Sequence, residues 1–172
     1  MQALTVSLVQ GATRWHDAPA NRDYYGALVR GVAGKSDLIV LPETFLSGFS
    51  NDTRASAETM DGEGVAWLRA LAQEVGATLC GSLAIREGDT VYNRLLWVRP
   101  DGSFAQYDKR HLFRMAGEHN HYTPGERQVQ FELKGWRVRP LICYDLRFPV
   151  WSRDAQDTDL LLYTANWPGA RR

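Results

Sequence analysis

No apolar run in the sequence approaches the ~20 residues that a membrane-spanning helix needs. The first ten residues, MQALTVSLVQ, lack the basic segment and long apolar stretch of a secretory leader, so no signal peptide is expected. Cys80 and Cys143 are the only cysteines. Two are too few for a disulfide framework, and a reducing cytoplasm is the simplest home. Neither sign of charge is in excess: 20 basic residues face 20 acidic ones. That balance points to neither nucleic acid nor an acidic membrane surface as a partner. Neither G-x-x-x-x-G-K-[ST] nor G-x-G-x-x-G occurs, so no nucleotide cofactor is expected. There is no linker and no low-complexity segment.

What is present suits a folded domain. Of 172 residues, 44% are apolar and 11% aromatic, enough burial to offset chain entropy in one domain spanning 1–172. ALTVSLVQ reads as a buried strand. Asp17 and Pro19 read as the cap and first turn of a helix, behind which Tyr25, Leu28, Val29 and Val32 share one face. DLIVLP is a second short buried strand, and Leu68, Leu71, Ala72 and Val75 repeat the helical spacing. ATLCGSLAIRE and VYNRLLWVRP, joined at Gly88-Asp89, predict a hairpin that DGSFAQYDK extends. Residues 110–127 show no periodicity and read as a long functional loop. Strands follow around 129–133 and 138–143, then a short helix from Pro149 and the strand DLLLYT. Strands alternating with helices, then a run of strands, predict an α/β domain with mixed sheets. SDLIVLPETF and TDLLLYTANW echo one another, as two strand-to-loop units facing one site would.

Three stretches carry residues suited to chemistry. In VLPETFLSGF, Pro42 keeps Leu41 extended, which puts Glu43 just past a strand's carboxyl end, where ligands gather in open α/β sheets. Among Leu41, Phe45, Leu46 and Phe49, Glu43 is either a desolvated general base or a capping or solvated loop glutamate. In QYDKRHLFRM, Lys109 follows a strand; it stabilises an anionic intermediate, or lowers a thiol pKa through its charge, or belongs to a solvated turn. In LICYDLRFPVW, Cys143 ends an apolar run before residues that do not continue a strand. A nucleophile at such an elbow has backbone N–H groups nearby for an oxyanion; the alternative is a core thiol, the reading that suits Cys80 in mid-strand. Glu118, His119 and His121 lack the spacing of a metal site. His111, His119 or His121 could serve a Cys–His hydrolase, although none has an orienting partner in the sequence.

LPETF, YDKRHLF and LICYDLRFP, in that order, resemble the Glu–Lys–Cys signature of the nitrilase (carbon–nitrogen hydrolase) superfamily. YDKRHLF followed by GEHNHYTPGE, CYDLRFPVWSR and LLLYTANWPGAR are most similar to its ω-amidase branch. The resemblance implies Glu43 as general base, Lys109 as stabiliser of the tetrahedral intermediate, Cys143 as nucleophile and Glu118 as a second active-site glutamate. It implies an oxyanion contact from the Tyr144 N–H, pocket positions for Asn166 and Trp167, and no metal or other cofactor. It implies hydrolysis of the terminal amide of a small carboxylate-bearing substrate, of the 2-oxoglutaramate or 2-oxosuccinamate type, to acid and ammonia. Such a substrate needs a cation opposite the nucleophile, and Arg147 is the candidate because it is near Cys143 in the chain. The fold implied is an α-β-β-α sandwich, paired in a homodimer. Chains of the family continue beyond the equivalent of residue 172 with a helix, further strands and a C-terminal arm, so part of the pocket wall and core covering is expected to be missing from this sequence. Another amidase or carbamoylase of the superfamily, or an inactive fragment, are the alternatives.

Overall fold

The computed structural model describes residues 2–153 and 157–167. Two sheets stack face to face, and two helices cover the outside of the larger one. The larger sheet has the order β1 (Val6–Leu8), β2 (Leu38–Val40), β3 (Thr78–Glu87), β4 (Thr90–Val98), β5 (Phe104–Asp108). The first two pairings are parallel and the last two antiparallel, so the sheet is mixed as expected. The smaller sheet pairs β6 (Phe131–Leu133) antiparallel and β8 (Leu160–Thr164) parallel to the central β7 (Trp136–Ile142).

Period-two burial explains the stacking. On β2, Leu38 and Val40 face the smaller sheet and pack with Cys80, Trp97, Val138, Ile142 and Leu162. Ile39 and Leu41 face the other way and meet α1 (Ala18–Gly31) and α3 (Glu63–Val75) through Tyr25, Val29, Leu68, Leu71 and Val75. Cys80 is fully buried between the sheets, and burial pushes its thiol well above the ordinary range. Asp17 caps α1 by accepting from the Ala20 N–H at 3.1 Å. Gly76, at φ 65°, ends α3 in the left-handed conformation that glycine takes without strain. The β3–β4 hairpin closes on the two residues Gly88-Asp89, with Glu87 opposite Thr90.

Several local expectations differ. β1 is an edge strand, paired only with β2, and Leu8 is 72% exposed rather than buried. On α1 the buried face runs through Asn21, Tyr25 and Val29, at intervals of four, and leaves Leu28 exposed. A short helix, α2 (Thr53–Ser56), had no periodic signal because it is a single turn. β7 stops at Ile142, one residue before Cys143, and the long loop contains 3-10 turns at Arg114–Ala116 and Glu118–Asn120. α4 (Pro149–Ser152) starts at the proline as expected. The end of the LLLYTANWPGAR stretch, 168–171, lies outside the described residues.

Strand direction decides which loops gather at one end of the sheets. β5 is antiparallel to β4, which is antiparallel to β3, so β2, β3 and β5 run the same way. β7 and β8 also run together. The carboxyl ends of β2, β5, β7 and β8 lead into Glu43, Lys109, Cys143 and Asn166 respectively.

Candidate active site

The chain leaves β2 through Leu41 and Pro42 and bends sharply at Thr44, whose φ is 45°. The left-handed region costs a non-glycine residue about 1–2 kcal/mol. The bend is held by the Thr44 N–H, which donates to Ser82 Oγ at 2.8 Å. It turns Glu43 inward, where it has no exposed surface. Lys109, just beyond β5, is held through its N–H on the Asn93 carbonyl at 3.0 Å. Its ammonium donates to Glu43 Oε1 at 2.9 Å and to both oxygens of Glu118, Oε2 at 2.9 Å and Oε1 at 3.0 Å. All three side chains are buried. Burial disfavours the lysine's charge, but Glu43 and Glu118 outweigh it and hold the Lys109 ammonium above its ordinary range. Glu118 is held above the usual carboxylate range, by burial first and by the Glu43 charge, with Lys109 opposing both. Its Oε2 also accepts from the Phe113 N–H.

One cation therefore serves two carboxylates, and neutral donors supply the rest. Asn93 Nδ2 donates to Glu43 Oε1 at 2.9 Å and to Glu118 Oε1 at 3.3 Å. The Asn166 N–H donates to Glu43 Oε2 at 3.1 Å. Its side-chain amide lies 3.3 Å from the Glu43 carbonyl oxygen. The two echoing segments, after β2 and after β8, thus meet at one carboxylate. Asn93 was not singled out in the sequence. The available signal was its phase: Asn93 shares a strand face with Leu95 and Trp97, which are inter-sheet core, so an amide stands at an apolar position.

Cys143 opens a 3-10 turn, Cys143–Arg147, directly after β7, with a φ of 44°. It lines a cavity of about 410 Å³ together with Glu43, Lys109, Tyr144, Arg147, Asn166 and Trp167. Phe49, Phe113, Met115 and Leu146 supply apolar wall. Seven of the eight residues singled out thus share one cavity. The eighth, Glu118, stands behind Lys109 and does not line it. Phe49 lies against the ammonium, its ring centre 5.4 Å from Lys109 Nζ. The Tyr144 ring meets Phe113 edge to face at 5.0 Å. Arg147 is exposed and forms no ion pair among the described residues.

Lys109 does act to lower the Cys143 pKa, as its charge suggests, but it does not set the net direction. Burial pushes the Cys143 thiol up to about 12, the Glu43 charge adds to that, and Lys109 opposes it without prevailing. The first reason is burial, because a thiolate there would be an anion removed from water, and the carboxylates beside it add to the cost. Accordingly, alkylation of Cys143 by iodoacetamide should still be rising with pH at about 9, past the ordinary thiol midpoint. A plateau in the rate reached below neutrality would mean a preformed thiolate.

The histidines do not join this cavity. His111 and His119 line a separate one, beyond Tyr144 and next to Arg110 and Phe148, and His111 Nδ1 lies 2.8 Å from Asp145 Oδ1. His121 lines neither. A histidine base for Cys143 therefore has no geometric support. Among the described residues no group of three or more His, Cys, Asp or Glu is placed to hold a metal ion. No described helix is long and apolar enough to cross a membrane.

Known proteins resemble this chain in sequence and in fold. The family model described as carbon–nitrogen hydrolase matches residues 5–171. The ω-amidase of Escherichia coli K12 is 48% identical over 171 residues, which is 99% of this chain and 66% of that protein. A 2-oxoglutaramate amidase of Bacillus subtilis is 33% identical over 138 residues, covering 77% of this chain and 53% of the relative. Among solved structures, a CN-hydrolase superfamily protein of Xanthomonas campestris, bearing an arsenic adduct in its active site, is 54% identical with a TM-score of 0.93; the match covers 99% of this chain and 68% of that one. An amidase of Nesterenkonia, captured with acrylamide added to its active-site cysteine, is 25% identical with a TM-score of 0.85, covering 95% and 67%. The chain thus spans 66% of the length of the curated E. coli relative.

Proposed function

Because the chain belongs to the carbon–nitrogen hydrolase family, we propose that it is an amidase of the ω-amidase type, releasing ammonia from the terminal amide of a small substrate that carries a carboxylate. The observation that carries the reading is the meeting of Cys143, Glu43 and Lys109 in one cavity that also holds Arg147, an arginine without an ion pair among the described residues. 2-Oxoglutaramate and 2-oxosuccinamate are the substrates that fit it in chemistry, and relatives named ω-amidase and 2-oxoglutaramate amidase support that choice.

A thiol held up to about 12 is protonated at neutral pH, so attack requires a base at hand. Cys143 Sγ attacks the amide carbon while Glu43 takes the thiol proton. Lys109 and the Tyr144 N–H hold the oxyanion. Glu43 returns the proton to the nitrogen, the C–N bond breaks, ammonia leaves and a thioester remains. Water then gives a proton to Glu43 and attacks the thioester; the acid departs and Cys143 is reprotonated. The thioester divides one hard displacement into two easier ones. Glu118 acts through Lys109, fixing an ammonium that would otherwise be free to swing. Arg147 binds the substrate carboxylate, and the apolar wall from Phe49 to Leu146 with Asn166 and Trp167 encloses the chain between the two ends.

The test is ammonia release from 2-oxoglutaramate compared with simple nitriles, carbamoyl amino acids and aliphatic amides. The keto-acid amide should have the highest kcat/KM; equal or better turnover of the others would remove the ω-amidase assignment. Arg147→Met should raise KM for 2-oxoglutaramate roughly 10- to 100-fold, the loss of a charge-assisted pair, with little effect on an uncharged amide. A similar KM increase for both would place the carboxylate elsewhere. The proposal extends to a single-domain protomer working as a homodimer in the cytoplasm. Exposed Leu146 and Val150 on the segment after Cys143 support the first part, and two unpaired cysteines the second.

A further inference from the structure

Asp145 lies two residues past Cys143 and does not line the cavity, yet it is completely buried. Its carboxylate collects donors from three segments. Oδ2 accepts from the Tyr107 hydroxyl at 2.7 Å and from the Ile142 N–H at 3.0 Å. Oδ1 accepts from the His111 N–H at 2.9 Å and faces His111 Nδ1 at 2.8 Å, which places the ring proton on Nδ1. Ile142 immediately precedes Cys143, while Tyr107 and His111 flank Lys109, two residues to either side. The Tyr107 oxygen in turn accepts from Trp151 Nε1 at 3.1 Å and the Arg110 N–H at 3.3 Å. The His111 ring stacks on Phe148 with centres 3.7 Å apart, and Phe148 closes the turn that Cys143 opens.

We propose that Asp145 is a positioning residue, a buried clamp that locks the Cys143 turn and the Lys109 segment into one frame. The inference rests on the reading of Cys143 as nucleophile. Two observations demand such a clamp. Cys143 sits in the left-handed region, which a non-glycine side chain keeps only when its surroundings over-determine it. And the groups that must act together leave from different sheets, Lys109 from β5 and Cys143 from β7. No other described side chain hydrogen-bonds both the residue before Cys143 and residues on each side of Lys109. A carboxylate suits the place because it accepts on both oxygens and donates nothing, so all four donors can be satisfied at once.

The test uses the full-length chain as wild type, Asp145→Asn, Tyr107→Phe and the double variant. Asp145→Asn keeps the shape but turns one oxygen into a donor facing donors. Its kcat for 2-oxoglutaramate, per folded molecule, should fall about 100-fold with KM changed less than about threefold, since misplacement near 1 Å costs that much. Tyr107→Phe removes one donor to Asp145, and with it the acceptor of Trp151 Nε1 and the Arg110 N–H, without opening a large cavity; its kcat should fall roughly fivefold to tenfold with KM held. Added to Asp145→Asn, it should cost nothing further, because both act through one carboxylate. As the turn loosens, the midpoint of Cys143 alkylation should drop toward the ordinary ~8.5 in both variants. Fully multiplicative effects, an unchanged kcat in folded Tyr107→Phe, or losses confined to KM or to the folded fraction would each overturn the proposal. Should Asp145→Asn fail to fold, Tyr107→Phe decides alone. Alkylation needs no substrate: if the wild type released no ammonia, the amidase reading would fall, while an unmoved midpoint in folded Tyr107→Phe would separately overturn the clamp.

Discussion

Cys143→Ala is expected to abolish the proposed ammonia release and to leave the chain folded. Loss of the group that forms the covalent intermediate is expected to lower kcat by at least about 10⁴-fold, since no other thiol or aliphatic hydroxyl among the described residues lines the cavity. Stability should hardly change. The Cys143 side chain is only partly buried: it lines the cavity on one side while packing against the edge of the inter-sheet core on the other, and alanine bears the same strain at a φ of 44° as cysteine does. The melting temperature should stay within about 5 °C of wild type. The contrast is Cys80→Ala, which opens a void between the sheets and should cost stability without touching the chemistry. Retained turnover in Cys143→Ala, measured beside wild type on 2-oxoglutaramate, would remove the cysteine from the reaction.

Lys109→Met is expected to do two kinds of damage. Catalytically, it removes the cation proposed to hold the oxyanion, a loss of about 10²- to 10³-fold in kcat. Structurally, it leaves Glu43 and Glu118, both completely buried, facing one another with only neutral donors between them. Breaking a buried charge network from one side costs about 3–5 kcal/mol. The pH dependence has a definite sign. Without the ammonium that opposes it, Glu118, already held above its ordinary range by burial and the Glu43 charge, rises further above its unfolded value. The destabilisation is therefore fully present at high pH and shrinks as pH falls through the folded value, because a protonated carboxyl needs no counter-charge. Urea denaturation at pH 8 and pH 5 should show the gap between variant and wild type narrowing on the acid side. A constant gap, or wild-type activity in the variant, would contradict the network. Wild-type activity is also what a Cys–His hydrolase would retain, so the same variant separates the two chemistries.

How much of this was visible in the sequence depended on whether the signal was local. The hairpin at Gly88-Asp89 and the buried face of α3 are set by turn chemistry and spacing, and both stand as read. The residues past strand ends, Glu43, Lys109, Cys143 and Asn166, could be found because a strand must end somewhere recognisable. That they share a cavity could not, since β2 and β5 lie in one sheet and β7 and β8 in another. The exposure of Leu8 was hidden for the same reason: only sheet order reveals an edge. Asn93 lies in no motif and Asp145 was passed over inside one; the side-chain partners of Asn93 are 25 and 50 residues away, and Asp145 joins the nearby Ile142 N–H to His111 and Tyr107, 34 and 38 residues away. The net direction of the thiol pKa was not legible, because burial and the Glu43 charge, which outweigh Lys109, depend on the folded cluster. The Lys109 charge is already committed to Glu43 and Glu118, and what Cys143 meets is the sum.

The central claim is that Cys143 carries the acyl group between amide and acid. The most direct measurement is mass spectrometry of full-length protein quenched in acid during turnover of 2-oxoglutaramate, followed by peptide mapping. The expected result is an acyl adduct on the peptide containing Cys143, lost on treatment with hydroxylamine and absent from Cys143→Ala. Steady ammonia release with no acyl adduct on Cys143 at any quench time, or an adduct on Cys80 or another side chain instead, would contradict the account.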